Sequence, residues 1–117
     1  MFPLWELLLD SYFGNTYTSK VRVIARRTLT EFSQKHPEVK SSLDTWYYEM
    51  KKENWKLPQD IMERYPKCRI IGNNRVIFKI LHNKYRLIIL VQFESGLVYI
   101  RFVGTHKEYD KINAEEV

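Results

Sequence analysis

Cysteine, glycine and proline are scarce in this chain of 117 residues, which has one Cys, four Gly and four Pro. The single Cys68 cannot form an intramolecular disulfide framework, and it argues against a cysteine-ligated metal site. Both points favour a reducing compartment. So few Gly and Pro residues argue against a low-complexity chain. No Gly-rich phosphate loop, zinc-ligand spacing or nucleophile elbow is present, so no motif indicates a cofactor.

Long apolar runs are absent as well. Residues 1–20 are rich in leucine and aromatic residues, but Glu6 and Asp10 interrupt them and the first cation is Lys20. They match neither a signal peptide nor a transmembrane helix. The pattern predicts a short helix over Leu4–Tyr12, in an N-terminal extension (1–20) that precedes a single domain (21–117). We therefore expect a cytoplasmic protein without membrane contacts.

Positive charge is in excess, with 19 Lys and Arg against 14 Asp and Glu, a net charge of +5. Residues 21–73 carry eleven cations against seven acids, and residues 74–112 carry seven against three. The excess therefore belongs to the predicted folded region and not to a tail. A basic domain is compatible with a polyanionic partner without proving one.

The C-terminal half predicts a three-stranded antiparallel meander. Strict alternation of apolar and polar residues indicates strands at Arg75–Leu81, Tyr85–Glu94 and Leu97–Val103. His82-Asn83-Lys84 supplies the first hairpin turn and Ser95-Gly96 the second. If both loops contain two residues, paired residues always differ in parity, and this fixes which side chains share a face.

The two predicted faces differ in chemistry. The first face carries no charge and consists of Val76, Phe78, Ile80, Tyr85, Leu87, Ile89, Val91, Phe93, Val98, Ile100 and Phe102. The second face mixes apolar residues with cations and a tyrosine, and consists of Arg75, Ile77, Lys79, Leu81, Arg86, Ile88, Leu90, Gln92, Glu94, Leu97, Tyr99, Arg101 and Val103. The first face is predicted to be a core surface, and the second is the candidate functional surface.

The preceding residues predict the elements that cover the core surface. A short strand at Lys20–Ile24 and a helix at Ala25–His36 come first, and Pro37 ends that helix. Ser41 or Ser42 then caps a second helix, whose apolar side is formed by Leu43, Trp46, Tyr47 and Met50. Pro58 opens a helical turn at Gln59–Arg64, and Lys67–Ile71 forms a further strand before the turn Gly72-Asn73-Asn74. The order predicts an α+β fold.

Histidines and cations are the candidate functional groups. His36 is predicted to be structural at a helix end, and His82 to be solvated in a turn. His106 follows the last strand, beside the cationic face, where it can meet a phosphate. The cations of that face can bind phosphate oxygens, and Tyr85, Tyr99 and Tyr109 can stack an unpaired base. These features alone indicate a nucleic acid or an acidic partner.

The run KYRLIILVQF with GLVYIRFVGTHKEYDKI resembles the HigB toxin family, in the RelE-like branch of bacterial toxin–antitoxin systems. The likeness extends through VRVIARRTLTEFSQKHPE, SLDTWYYEMKKENWKLPQDI and NNRVIFKI, and so covers roughly 21–117. The family usually opens Met-Arg-Val-Ile, and Val21 stands in place of that methionine here. This departure suggests an extended or alternative start.

The resemblance implies a RelE/ParE-like α+β toxin, with an N-terminal strand and two helices packed on one face of a three- to four-stranded antiparallel sheet. It implies an mRNA interferase that acts during translation on the ribosome and is held inactive by a HigA-like helix-turn-helix antitoxin. Such enzymes use no metal and no cofactor. The RNA 2′-OH attacks the adjacent phosphate, which gives a 2′,3′-cyclic phosphate and a 5′-OH.

This chemistry needs a base, an acid and cations for the developing phosphorane charge. By matching motif, Lys79 and Arg86 take the positions of basic residues that stabilise the phosphate. His106 is assigned as general base or acid, and Tyr109 as the residue that positions or stacks a base. The predicted RNA contacts are Arg75, Lys84, Tyr99, Arg101 and Lys107.

Two other readings of the sequence stay open. The same fold hosts ParE-like gyrase poisons, and fold alone does not decide function. A gyrase poison would need no acid–base pair, so His106 and Lys79 could be replaced harmlessly. The third reading is a non-enzymatic basic RNA-binding module.

Overall fold

A computed structural model describes residues 21–117, and the helix predicted at Leu4–Tyr12 lies outside this range. The strands are β1 (Arg22–Ile24), β2 (Arg69–Ile71), β3 (Arg75–Ile80), β4 (Tyr85–Gln92) and β5 (Leu97–Thr105). The helices are α1 (Arg26–Lys35), α2 (Lys40–Met50), α3 (Pro58–Arg64) and α4 (His106–Tyr109). None of the helices in the described range is long and apolar enough to cross a membrane.

The five strands form one sheet in the order β1-β5-β4-β3-β2. All neighbours are antiparallel except β1, which runs parallel to β5 with Arg22 opposite Leu97. The α+β fold is therefore confirmed. The sheet is wider than the three to four strands expected, because the short segments β1 and β2 extend it at both edges. Strands of three residues carry little alternation, so their pairing was hard to predict.

Three helices cover the first face of the sheet. Leu29 of α1, Trp46 of α2 and Ile61 of α3 are buried in one cluster with the side chains of β3, β4 and β5. The Trp46 ring meets the Phe78 ring edge-on, with 5.6 Å between the centroids. The uncharged face predicted from alternation is thus the core surface, as expected from the burial of apolar area.

The start of α2 differs from the prediction. The helix begins at Lys40, so Ser41 and Ser42 lie inside it and neither is the N-cap. Pro37–Val39 form a 3₁₀ turn that leads directly into the helix, and Val39 N–H donates to the His36 carbonyl at 3.0 Å. The 3₁₀ turn therefore takes the place of a side-chain cap at the start of the helix, and Val39 is buried in the core.

Both hairpin loops contain four residues, where two were expected. The first is Leu81–Lys84, because β3 ends at Ile80, opposite Tyr85. Three of its residues are left-handed, namely Leu81 (φ 53°), His82 (φ 55°) and Asn83 (φ 86°). The second contains four residues, because β4 ends at Gln92 and not at Glu94. A loop of four residues and a loop of two residues give the paired residues the same parity. The side chains at the start of the next strand therefore keep their predicted faces.

A β-bulge then changes the faces within β5. Ile89 pairs with Ile100, but Ile88 pairs with Phe102, so Arg101 is an extra residue in the strand. The prediction for the last two residues is therefore wrong. Phe102 pairs with Ile88 on the second face, and Val103 packs against the core.

The C-terminal segment 106–117 crosses the second face of the sheet. At one end, His106 N–H donates to the Lys84 carbonyl at 3.1 Å. At the other end, Asn73 Nδ2 donates to the Glu115 carbonyl at 3.1 Å. Ile77 and Ile88 are only 3% and 0% exposed, although α1–α3 lie on the opposite face. The second face is therefore partly covered by the chain itself.

Tyr85 lies on the core side and is 5% exposed, so the prediction that it stacks a base is wrong. Its ring meets the rings of Phe32 and His36 edge-on, and its hydroxyl donates a hydrogen bond to Glu38. His36 itself stacks on Phe32, with 4.4 Å between the centroids, which confirms a structural role. The hydrogen bond lowers the pKa of Glu38 and raises the pKa of Tyr85.

This contact predicts an acid-dependent contribution to stability. The pKa of Glu38 is depressed in the folded state, so the stabilisation is present above the pKa in the unfolded chain and is lost as pH falls through the folded pKa. We expect Tyr85→Phe to lower the melting temperature at neutral pH. The deficit should shrink in acid, below the usual pKa of glutamate. Thermal unfolding across this range tests it, with Tyr99→Phe as the matched control, and a deficit independent of pH would contradict it.

Candidate active site

The first hairpin brings two predicted cations together. Lys79 of β3 lies directly opposite Arg86 of β4, next to the pair of Ile80 and Tyr85 that closes the ladder at the first hairpin loop. Both side chains belong to the second face. The Lys79 side chain is exposed, whereas Arg86 is only 6% exposed.

Arg86 is a buried cation held by neutral groups. Its Nη1 donates to the Asn83 carbonyl at 2.8 Å, and its guanidinium carbon lies 5.3 Å from the centroid of the Tyr109 ring. Within residues 21–117 it forms no ion pair with a carboxylate. A charge that is desolvated and not neutralised attracts an anion strongly.

Gly104 lies opposite Arg86 on β5. A Cβ atom at this position would stand 2.5 Å from the Phe102 ring and 2.9 Å from Glu108 Oε1. Only glycine therefore allows Phe102 and α4 to pack closely beside Arg86.

A capping box fixes the start of α4. Glu108 N–H donates to Thr105 Oγ1 at 3.2 Å, and Thr105 N–H donates to Glu108 Oε1 at 2.8 Å. The box holds His106 and Tyr109 on a single helical turn. Their rings meet edge-on, with 6.4 Å between the centroids. The structure thus brings together Lys79, Arg86, His106 and Tyr109, and we call these four residues the hairpin cluster.

His106 has one ring nitrogen engaged and a half-exposed side chain. Its Nδ1 lies 3.1 Å from Asp110 Oδ2, and the side chain is 49% exposed. When Nδ1 carries the proton, this contact leaves Nε2 as the proton acceptor. Sequence reasoning missed Asp110 and the Asn83 carbonyl. The spacing of Thr105 and Glu108 was a signal for the start of a helix here.

The other predicted RNA-binding residues fall into two groups. Lys84 and Lys107 are exposed beside the hairpin cluster, since Lys84 ends the first hairpin loop and Lys107 follows His106 on α4. Arg75 and Tyr99 lie at the far end of the second face, both paired with Leu90. Arg75 is four residues from Lys79, or about 13 Å along the strand.

Two of the distant cations already bind the chain itself. Arg75 Nη2 and Arg101 Nε donate to the main-chain oxygen of Val117 at 2.6 and 3.1 Å. They hold the end of the C-terminal segment on the sheet. The predicted cationic face is therefore divided into the hairpin cluster and a distant group that is engaged with residue 117. Among the described residues no three His, Cys, Asp or Glu side chains gather as a metal site would require.

Comparison with known proteins agrees with this architecture. The sequence model of the HigB toxin family, described as the RelE-like toxic component of a toxin–antitoxin system, matches residues 39–112. The chain is similar to the mRNA interferase toxin HigB of Escherichia coli K12, with 29% identity over 96 residues, which cover 80% of this chain and 92% of that protein. The mRNA interferases HigB of Escherichia coli O157:H7 and Shigella flexneri match to the same extent. The chain belongs to the HigB toxin family.

Proposed function

We propose that this toxin is an mRNA endonuclease that inhibits translation. The relatives named above are mRNA interferases, and the observation that carries the proposal is the buried Arg86, whose guanidinium meets the same Tyr109 ring as the His106 imidazole. Arg86 has no carboxylate partner in the described residues, and Tyr109 supports its guanidinium. A buried cation next to a partly exposed imidazole is suited to phosphoryl chemistry.

In the proposed reaction the 2′-oxygen of one nucleotide attacks the adjacent phosphorus. The new bond joins the 2′-oxygen to phosphorus, and the bond from phosphorus to the 5′-oxygen breaks. The 2′-OH proton passes to a base, and an acid protonates the leaving 5′-oxygen, which gives a 2′,3′-cyclic phosphate and a 5′-OH. General acid–base catalysis of this kind contributes typically about 10²–10⁴-fold in rate.

The hairpin cluster offers a group for each need. His106, oriented by Asp110, serves as the general base or acid through Nε2. Arg86 and Lys79 lie side by side, so they can stabilise the charge that develops on the phosphorane oxygens. Tyr109 positions or stacks a base, and Lys84 and Lys107 hold the RNA backbone as point charges. Arg75, Tyr99 and Arg101 are proposed contacts for more distant parts of the RNA.

The toxin meets its substrate during translation. We propose that it cleaves mRNA on the ribosome in the bacterial cytoplasm, without a metal or cofactor. A HigA-like helix-turn-helix antitoxin is the proposed inhibitor. The family description supports an antitoxin partner in general.

Replacing His106 or Arg86 should abolish toxicity. We expect His106→Ala to lower the cleavage rate about 10²–10⁴-fold and Arg86→Lys about 10²–10³-fold, because lysine cannot reproduce the planar guanidinium. Mapping the 5′ ends of cellular mRNA after induction measures the cuts. Arg27→Lys is the control, since Arg27 is exposed on α1 and pairs with Glu31 at 3.1 Å.

The same experiment separates the other candidate functions. Discrete cuts inside translated codons support the interferase, provided that circular dichroism shows both variants to be folded. DNA-damage induction without RNA cuts would indicate a gyrase poison, and neither effect would indicate a binding module. Variants as toxic as the parent would show that the hairpin cluster is not the active site.

The products should reveal the nucleophile. We expect RNA fragments to end in a 2′,3′-cyclic phosphate, because the 2′-oxygen attacks within the chain. A single 2′-deoxy nucleotide immediately before the cut should stop cleavage at that position. Mass spectrometry of the fragments, with a 2′-deoxy nucleotide placed elsewhere as control, measures both effects. Cleavage that persists at the deoxy position would mean that water is the nucleophile.

A further inference from the structure

A cleft lies at the open edge of β3, beside the hairpin cluster. The strand β2 pairs with β3 only as far as Ile77, which is opposite Arg69, so among residues 21–117 no strand adjoins the rest of β3 on that side. The cleft has a volume of about 580 Å³, which is within the range of roughly 300–1,000 Å³ typical of ligand sites. Its lining includes Arg64, Tyr65, Lys67, Phe78, Lys79 and Asn83.

The lining combines an apolar floor with a cationic rim. Tyr65 and Phe78 pack edge-on in the floor, with 5.2 Å between their centroids. Lys67 and Lys79 stand at the rim, and neither forms an ion pair within residues 21–117. The described lining residues include no carboxylate. The third rim cation, Arg64, is already neutralised by Glu49 and Glu53, at 3.2 and 3.3 Å.

The cleft and the hairpin cluster share residues. Lys79 lines the cleft and also lies opposite Arg86 on the neighbouring strand. Asn83 lines the cleft, and its carbonyl accepts the hydrogen bond from Arg86. An RNA strand whose phosphates bind at Arg86 and Lys79 therefore continues directly to the mouth of the cleft.

We infer that the cleft binds one unstacked nucleotide of the RNA, next to the phosphate that is cleaved. The base lies on the apolar floor, as unpaired bases do on aromatic and apolar side chains, and the phosphate of that nucleotide binds Lys67. The cleft would thus contribute to the choice of cleavage site. This inference rests on the proposed function for the identity of its ligand.

Binding can be measured without cleavage. A 2′-O-methyl RNA cannot supply the attacking hydroxyl, so tetranucleotides of A, C, G and U with this modification are suitable probes. We expect at least one of them to shift the amide NMR signals of Lys67, Cys68 and Lys79 in the full-length protein. We also expect the four probes to differ in affinity, because the floor contacts the base.

Lys67→Ala tests the phosphate contact, with Lys52→Ala as the matched control. Lys52 is exposed on the chain after α2 and does not line the cleft. Removing one phosphate contact should reduce the magnitude of the slope of log affinity against log salt concentration by about 0.7 for single-stranded RNA. Lys67→Arg should restore the slope, whereas Lys52→Ala should leave it unchanged. In the cleavage map, Lys67→Ala should weaken cleavage to a similar extent at every site, because a phosphate contact carries no sequence information.

The outcomes separate this inference from the proposed function. Cleavage by the parent with no signal shifts in the cleft, and with no effect of Lys67→Ala, would overturn the subsite alone. Shifts in the cleft without any cleavage of RNA would support nucleotide binding and overturn the endonuclease. If an acidic peptide from an antitoxin shifts the cleft signals and no RNA probe does, the cleft is a protein-binding site and the inference is wrong.

Discussion

The pairing of β3 with β4 through the left-handed loop at His82 and Asn83 is the constraint on which the site depends. It places Lys79 opposite Arg86. The loop also supplies the main-chain oxygens that position the rest of the site. The Asn83 carbonyl holds the Arg86 guanidinium, and the Lys84 carbonyl holds the start of α4. One turn of backbone therefore orients residues that are about twenty positions apart in the sequence.

The core and the faces of the hairpin were predictable because alternation over long strands leaves little freedom. A one-residue shift would turn the buried Leu87 and Ile89 towards the second face, so the register is strongly specified. The position of the first turn was also readable, since Asn is one of the few residues that tolerate a positive φ. These two rules were enough to place Lys79 and Arg86 on one face.

Other features depend on contacts that a local pattern does not contain. The bulge at Arg101 adds one residue to β5, so the side chains after it point to the faces opposite to those that alternation predicts. The sequence gives no sign of this extra residue, and Phe102 and Val103 were therefore assigned to the wrong faces. The segment 106–117 has no periodicity that predicts where it packs. Its path is set by single hydrogen bonds to Asn73, Arg75 and Arg101. The division of the cationic face followed from this path and could not be predicted.

The C-terminal segment affects the stage of folding at which the hairpin cluster takes its final geometry. A helix of four residues such as α4 is not stable by itself, because the conformational entropy lost in forming the first turn outweighs the free energy gained from its hydrogen bonds. His106 and Tyr109 therefore have no fixed geometry until the sheet beneath them is complete and the segment is tied down at both ends. We therefore expect the reactive groups to assemble after the sheet rather than before it. A defect at Asn73 or Glu115, at the opposite end of the sheet, would loosen the imidazole without touching it.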